Sequence, residues 1–116
     1  MKRKFGLTEN TIDKINRVLS RYPEVNKAIL YGSRAKGNYR NGSDIDLTLL
    51  GGDDMNLSIL ARILSDIDDL LLPYSFDISI YADISDSDFL DHIERVGEIF
   101  YTRDDFVSLS RASNEV

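Results

Sequence analysis

The sequence lacks cysteine and contains only two prolines, a single histidine and no apolar run long enough to cross a membrane. The lack of cysteine excludes disulfides, zinc sites built on thiolates and a cysteine nucleophile, and it is typical of a reducing compartment. The basic start, residues 1–4 (MKRK), is not followed by the apolar segment of a signal peptide. We therefore expect a cytoplasmic protein that does not enter a membrane.

Charge is distributed unevenly along the chain, although the net value is only -6. Residues 1–40 carry ten Lys and Arg against three acidic residues, whereas residues 41–92 carry twelve acidic residues and Arg62 as the one basic residue. A solvated acidic face explains most of these charges, and the broad basic surface that nucleic-acid binding requires is missing. We expect a small ligand or a protein partner, in a homo- or hetero-oligomer, and no direct binding of nucleic acid.

The length of 116 residues and a hydrophobic fraction of 42% suit one domain, residues 1–116, with 102–116 as a flexible tail or docking segment. Helical spacing of apolar residues predicts helices at 8–22, 57–72 and 86–96, with Thr8 as a cap, Pro23 as a stop and Gly97 as a C-terminal signal. Strands are predicted at 27–32, from 45 to the glycines at 51 and 52, at 75–81 and at 99–101. The expected class is α/β (α+β), with a small mixed sheet backed by helices.

The apolar stripes of the helices are assigned to the core, and any exposed remainder is a candidate partner surface. The same partner role is open to an aromatic and apolar group near the end of the chain, Phe100, Tyr101, Phe106 and Leu109. In the helix at 57–72 the stripe comprises Leu57, Leu60, Ile63, Leu64, Ile67, Leu70 and Leu71.

Two aspartates on one predicted strand point the same way. Asp44 and Asp46 alternate with Ile45, Leu47 and Leu49, which face the other side. The two carboxylates therefore converge, and like charges repel unless a cation lies between them. Mg²⁺ takes such oxygen ligands, commonly one or two carboxylates together with substrate phosphates. Because acidic pairs also cap loops, the prediction of a magnesium site depends on the residues that join this pair.

A third aspartate, Asp77, opens the strand predicted at 75–81. Ser33 ends the strand at 27–32, and ten residues separate it from Asp44, which suits antiparallel neighbours. Asp77 reaches Asp44 and Asp46 only if its strand runs parallel to theirs, with the helix at 57–72 as the crossover. We therefore predict three carboxylates and Ser33 at one edge of the sheet.

Gly32 and Ser33 lie where the first strand of this sheet gives way to a turn-rich loop. Glycine lets the backbone approach a phosphate closely, and a serine hydroxyl beside the amides of a helix-like turn favours an anion. Arg34 and Lys36 are positioned to neutralise further phosphate charge, although either side chain is equally explained as solvated. These residues are the predicted nucleotide-binding segment.

The pair Gly32-Ser33, followed after ten residues by Asp44-Ile45-Asp46, resembles the signature of the DNA polymerase beta nucleotidyltransferase superfamily. With Asp77 on a later strand the match spans about half of the chain, and no signature position departs from the pattern. The motif is specific. The short chain also resembles the minimal nucleotidyltransferase (MNT) branch, whose members often pair with HEPN-domain proteins in toxin-antitoxin systems. The resemblance implies a fold similar to the polymerase beta palm.

The same resemblance implies a reaction with two Mg²⁺ ions. Asp44 and Asp46 would bind the ion that holds the triphosphate, and Asp77 would help to bind the second ion and to activate the attacking hydroxyl. Attack at the α-phosphorus would transfer a nucleoside monophosphate and release pyrophosphate. In antitoxins similar to this branch the donor is ATP and the acceptor is a tyrosine of the HEPN toxin, so the implied product is an AMP-modified, silenced toxin.

Other interpretations stay open at this level. An antitoxin that acts by binding alone keeps the same residues, and transfer to a small molecule or to an RNA 3′ end uses the same kind of site. His92 is interpreted as an exposed helical histidine. Tyr31 is assigned to the core and Tyr39 to the loop surface, although either ring is a candidate to stack a nucleotide base.

Overall fold

The structure is a computed structural model that describes residues 3–104. A small hairpin begins the chain, and a four-stranded sheet with helices follows it. In chain order the elements are β1 (Arg3–Lys4), β2 (Leu7–Thr8), α1 (Glu9–Ser20), β3 (Val25–Tyr31), α2 (Gly32–Lys36), β4 (Ile45–Gly51), α3 (Leu57–Asp68), β5 (Phe76–Ile80), a 3-10 turn (Tyr81–Asp83), α4 (Ser87–Val96) and β6 (Glu98–Thr102). The predicted class is confirmed.

The four-stranded sheet is mixed and has the order β5-β4-β3-β6. Strand β3 runs antiparallel to both β4 and β6, while β4 and β5 are parallel and are joined through α3. The predicted antiparallel and parallel pairings around β4 are therefore confirmed. The β1–β2 hairpin was not predicted, because each strand has only two residues and shows no alternation to detect.

Local capping explains where the first helix begins. The Thr8 hydroxyl accepts a hydrogen bond from the amide of Thr11 at 3.2 Å, which satisfies one of the free amides of the first turn. The buried side chains of α1 are Ile15, Val18 and Leu19. They pack in the main core with Leu30, Leu47, Leu49 and the isoleucines of α3. This core covers one face of the sheet, and α4 packs against β3 and α2 away from it.

Helix α3 corrects one part of the sequence prediction. Its core-facing residues are Ile59, Ile63 and Ile67, which repeat every fourth position. Three of the five leucines assigned to the same stripe, Leu57, Leu64 and Leu71, are exposed, whereas Leu60 and Leu70 pack against the core as predicted. The helix ends at Asp68 rather than at residue 72, and Leu71 has a left-handed backbone with φ of 55°.

Both ends of α4 depend on single residues. At its start, the Asp86 carboxylate accepts hydrogen bonds from the amides of Asp88 and Phe89 at 2.9 and 3.3 Å. Gly97 ends the helix as predicted, but its φ of -63° is not left-handed. Glycine is required there because a Cβ would overlap the carbonyl of Ile93.

The C-terminal segment is described only in part. Thr102 completes β6, so a tail starting at residue 102 overlaps the sheet. Phe100 and Tyr101 are buried in the core and are not a free partner surface. The proposed partner residues Phe106 and Leu109 lie outside the described residues. Within residues 3–104 no helix has the length and apolarity needed to cross a membrane.

Candidate active site

Three neighbouring strands place Tyr31, Asp46 and Asp77 in one row across the sheet. Tyr31 of β3 pairs with Asp46 of β4, and Asp46 pairs with Asp77 of β5. Directly paired residues project from the same face of a sheet, so the three side chains share that face. Asp44 is exposed just before β4 begins, two residues from Asp46. The sheet therefore brings the three predicted aspartates to one edge.

Asp46 lies at the electrostatic centre of this group. Burial raises the pKa of its carboxyl above the ordinary value, and the negative charges of Asp77 and Asp44 raise it further. The pKa of Tyr31 is raised to about 12, first by burial and then by Asp77 and Asp46. A bound cation would reduce this repulsion among the carboxylates.

Gly32 links the glycine-serine motif to the same carboxylate. Its φ is 74°, and a Cβ at this position would overlap the Asp46 carboxylate. The backbone at the start of α2 can therefore lie against Asp46 only because residue 32 has no side chain. Ser33 is partly exposed in the first turn of α2, and its carbonyl accepts a hydrogen bond from Gly37 at 3.0 Å.

Arg34 does not take the predicted position. The side chain is only 2% exposed, and its guanidinium is shared among backbone carbonyls of the surrounding loops. It also lies over two tyrosine rings, with its central carbon 5.3 Å from the ring centre of Tyr39 and 5.0 Å from that of Tyr74. The carbonyl acceptors, at 2.9 to 3.3 Å, are Phe5, Asn41 and Ser43.

Because its donors are occupied within the protein, we reassign Arg34 from phosphate neutralisation to holding the motif loop. Lys36, by contrast, is exposed at the end of α2. Of the two predicted cations, it is the one that the fold leaves accessible to a ligand.

His92 was interpreted as an exposed helical residue, but it lies beside this row. It is partly buried on α4, with its ring centre 6.4 Å from that of Tyr31 and nearly perpendicular to it. The positive charge of a protonated His92 lowers the pKa of Asp46, against the effect of the other aspartates. Phe89, one helical turn earlier, packs edge-on against Tyr31 at 5.3 Å. The one available sequence signal, that Phe89 and His92 are three residues apart and so share a face of α4, was not used.

The aspartates do not enclose a metal ion by themselves. Among residues 3–104, no three Asp, Glu, His or Cys side chains converge as a ready-made metal site. Mg²⁺ commonly keeps several waters and binds through one or two carboxylates plus the phosphates of a substrate. The all-oxygen donor set at this edge fits such an open site, which the triphosphate would complete.

A carboxylate row at the edge of a small mixed sheet, beside a glycine-serine turn, defines the class of nucleotidyltransferase domains. The model of the family described as polymerase beta, nucleotidyltransferase matches residues 13–106 of this chain. The chain belongs to that family, as the sequence motif predicted. Enzymes of this family generally use divalent metal ions.

Solved structures have the same fold. A chain of a toxin-antitoxin structure with AMP-PNP has a TM-score of 0.63 and 19% identity, and the match covers 94% of this chain and 91% of that one. A chain from a complex of the tri-AMPylated HEPN toxin of Shewanella oneidensis with MNT antitoxin has a TM-score of 0.61 and 16% identity. That match covers 87% of this chain and 77% of the other. A chain of the toxin-antitoxin MntA-HepT has a TM-score of 0.60 and 14% identity, and the match covers 93% of this chain and 91% of that one. No curated protein sequence matches this chain.

Substitutions at two glycines with left-handed backbones distinguish the stability cost of backbone strain from that of contact with the site. Gly32→Ala should lower the free energy of unfolding by ~2–4 kcal/mol, because it combines strain with overlap on Asp46. Gly37→Ala is the matched control: its φ is 87°, but nothing lies within 4 Å of the added Cβ, so it should cost only ~1 kcal/mol. Urea unfolding measures both. Equal losses would contradict the close approach at Gly32.

The two cations of α2 should differ sharply in their effect on stability. Arg34→Lys should lower the free energy of unfolding by ~2–4 kcal/mol, because an ammonium cannot reach the same carbonyls and remains buried. Lys36→Ala, at an exposed position, should change it by less than ~0.5 kcal/mol. Urea unfolding is again the measurement. An unchanged stability for Arg34→Lys would be inconsistent with the buried position.

Asp46→Asn should stabilise the metal-free protein at neutral pH. A carboxyl with a raised pKa binds its proton more tightly when folded, so its penalty grows as pH rises and is absent below the unfolded value of about 3.8. Removing the charge should raise the melting temperature by ~2–5 °C at pH 7, on the order of 0.5–1 kcal/mol, and by nothing at pH 3. Thermal unfolding at both pH values tests this. A lower melting temperature at pH 7 would contradict the repulsion.

Proposed function

We propose that this chain transfers AMP from ATP to a hydroxyl of a HEPN-domain partner, with a tyrosine as acceptor, and thereby acts as an antitoxin of the MNT branch. The observation that carries the proposal is the row formed by Asp46 and Asp77, with Asp44 beside it and Gly32 against the Asp46 carboxylate. Membership of the nucleotidyltransferase family supports the reaction type. The fold shared with chains of toxin-antitoxin complexes, one with AMP-PNP and one with an AMPylated HEPN toxin, supports the partner and the nucleotide.

The aspartates of the row and the predicted residues around them have proposed roles. Asp44 and Asp46 bind the Mg²⁺ that accompanies the triphosphate, and Asp77 takes part in a second ion site and faces the acceptor. Ser33, in the first turn of α2, lies toward the phosphates, and Gly32 allows this turn to pack against Asp46. Lys36 adds a mobile positive charge from the end of α2. When bound, the metal ions neutralise phosphate charge and lower the pKa of a coordinated hydroxyl.

The chemistry is one substitution at the α-phosphorus of ATP. The acceptor oxygen forms a bond to this phosphorus, and the bond to the bridging oxygen of the β-phosphate breaks. Pyrophosphate leaves with the electron pair of that bond, while the acceptor proton passes to Asp77. The product is a phosphodiester between AMP and the acceptor side chain. Asp46 is the partly buried carboxylate of the three, and its lower solvent exposure would strengthen its interaction with a bound cation.

Transfer should depend on Asp44 and the carboxylates of the row and not on acidic charge in general. The test uses ATP labelled at the α-phosphate, Mg²⁺ and the product of the neighbouring gene, which the proposal takes to be the HEPN-domain partner, and this partner should become labelled. Asp77→Asn should slow labelling by roughly 100-fold or more, as expected for loss of a general base, and Asp44→Asn should also reduce it strongly. Asp53→Asn, at the exposed loop beyond the other end of β4, is the matched control and should keep the wild-type rate.

The competing function is neutralisation by binding alone. It predicts that the partner is never labelled and that Asp44→Asn and Asp77→Asn variants protect cells from the toxin as well as wild type does. That pair of results would overturn the proposed activity. Label on a small molecule or an RNA in place of the partner would retain the transferase and reject the protein acceptor.

A further inference from the structure

An open apolar groove lies beside the candidate site, between the end of α3 and the edge strand β5. Its volume is about 780 Å³. Six of its lining residues are large and apolar or aromatic, and Leu71 is 88% exposed while Leu64 is 38% exposed. The six are Leu64, Ile67, Leu71, Leu72, Tyr74 and Phe76. We call this surface the α3–β5 groove.

Leu71 is the residue that the fold itself least explains. Its backbone is left-handed, a conformation in which leucine is disfavoured and glycine or asparagine is preferred. Its side chain gains almost no burial in return, since most of it faces solvent. A strained and exposed leucine indicates a function outside the folding of this chain.

The groove has a strongly acidic surround. Asp68 lines it, Asp69 follows at the end of α3 and Asp77 follows Phe76 on β5, and all three side chains are exposed. A partner that fits must therefore combine apolar side chains for the groove with basic side chains for its rim. A second acidic surface of the same kind would be repelled.

The groove is continuous with the carboxylate row. The carbonyl of Ser75, a lining residue, accepts a hydrogen bond from the amide of Ile45 at 2.9 Å. Ile45 is the residue between Asp44 and Asp46. Phe76 directly precedes Asp77. Tyr74 lines the groove, and its ring also makes a cation-π contact with the Arg34 guanidinium, which holds the motif loop. A partner bound in the groove would thus lie at the entrance to the site.

We propose that the α3–β5 groove is the docking site of the acceptor protein, which inserts an apolar helix face flanked by lysine or arginine. The inference rests on the proposed function, because it takes the acceptor to be a protein. Docking here holds the acceptor hydroxyl near Asp77 and gives the reaction its choice of partner. Leu71 is the central contact, and Asp68 meets the basic flank.

The test measures binding in the absence of nucleotide, so that it does not depend on transfer. Calorimetry with the HEPN-domain partner of the proposed function should give a dissociation constant ~10-fold higher for Leu71→Asn than for wild type, as for loss of a central interface leucine. Asparagine tolerates the left-handed backbone, so the variant should keep the wild-type melting temperature. Leu57→Asn is the matched control: Leu57 is 69% exposed at the start of α3 and lies outside the groove, and its variant should bind like wild type.

Charge provides the second arm. Asp68→Asn should weaken binding about threefold at low salt, and the difference should shrink as salt is raised. Unchanged affinity for both Leu71→Asn and Asp68→Asn would overturn the docking site. So would a wild-type dimer that Leu71→Asn dissociates while partner binding stays intact, because a second copy would then be the occupant. Binding that follows these expectations without any label transfer would support the groove and reject only the proposed activity.

Discussion

Strand β4 is hydrogen-bonded to an antiparallel neighbour on one side and to a parallel neighbour on the other, and the position of the candidate site depends on this arrangement. The antiparallel ladder sets Tyr31 opposite Asp46, and the parallel ladder sets Asp77 opposite the same residue. A shift of one residue in either register would move one side chain to the opposite face. The core side chains of β4 and β5, Leu47 and Ile78 among them, resist such a shift because they would have to leave the core. Packing on one face therefore fixes the chemistry on the other.

The arrangement has an energetic cost that the fold does not remove. Asp46 is partly buried between two like charges, and its raised pKa expresses that conflict. Gly32 shows a second constraint at the same carboxylate. Its backbone is left-handed, and only a residue without a Cβ fits against Asp46 there. Conflicts of this kind are expected where a site is built for a ligand that compensates them. Here the compensation required is positive charge, which agrees with the divalent ions that the family generally uses.

Local pattern in the sequence accounts for much of this structure. Alternation at Ile45, Leu47 and Leu49 indicated the face opposite the aspartates, and the ten-residue spacing to Ser33 indicated the antiparallel turn. Contacts distant in sequence were not visible in the same way. The burial of Arg34 depends on the carbonyl of Phe5, in a hairpin too short to show periodicity. The place of His92 depends on how α4 packs on β3, and helical spacing does not distinguish an isoleucine row from a leucine row on α3.

Arg34 also joins two regions that would otherwise act separately. Its guanidinium fastens the loop after Gly32-Ser33 through the carbonyls of Asn41 and Ser43, and it stacks on Tyr74 at the α3–β5 groove. A ligand that moves Tyr74 must therefore either carry the guanidinium with it or break a buried cation-π contact. Because the same loop leads into Asp44, binding at the groove and the geometry of the carboxylates share one set of contacts. Coupling between an occupant of the groove and a ligand at the carboxylates would need no large conformational change, since a small displacement of the Arg34 side chain would reach both surfaces.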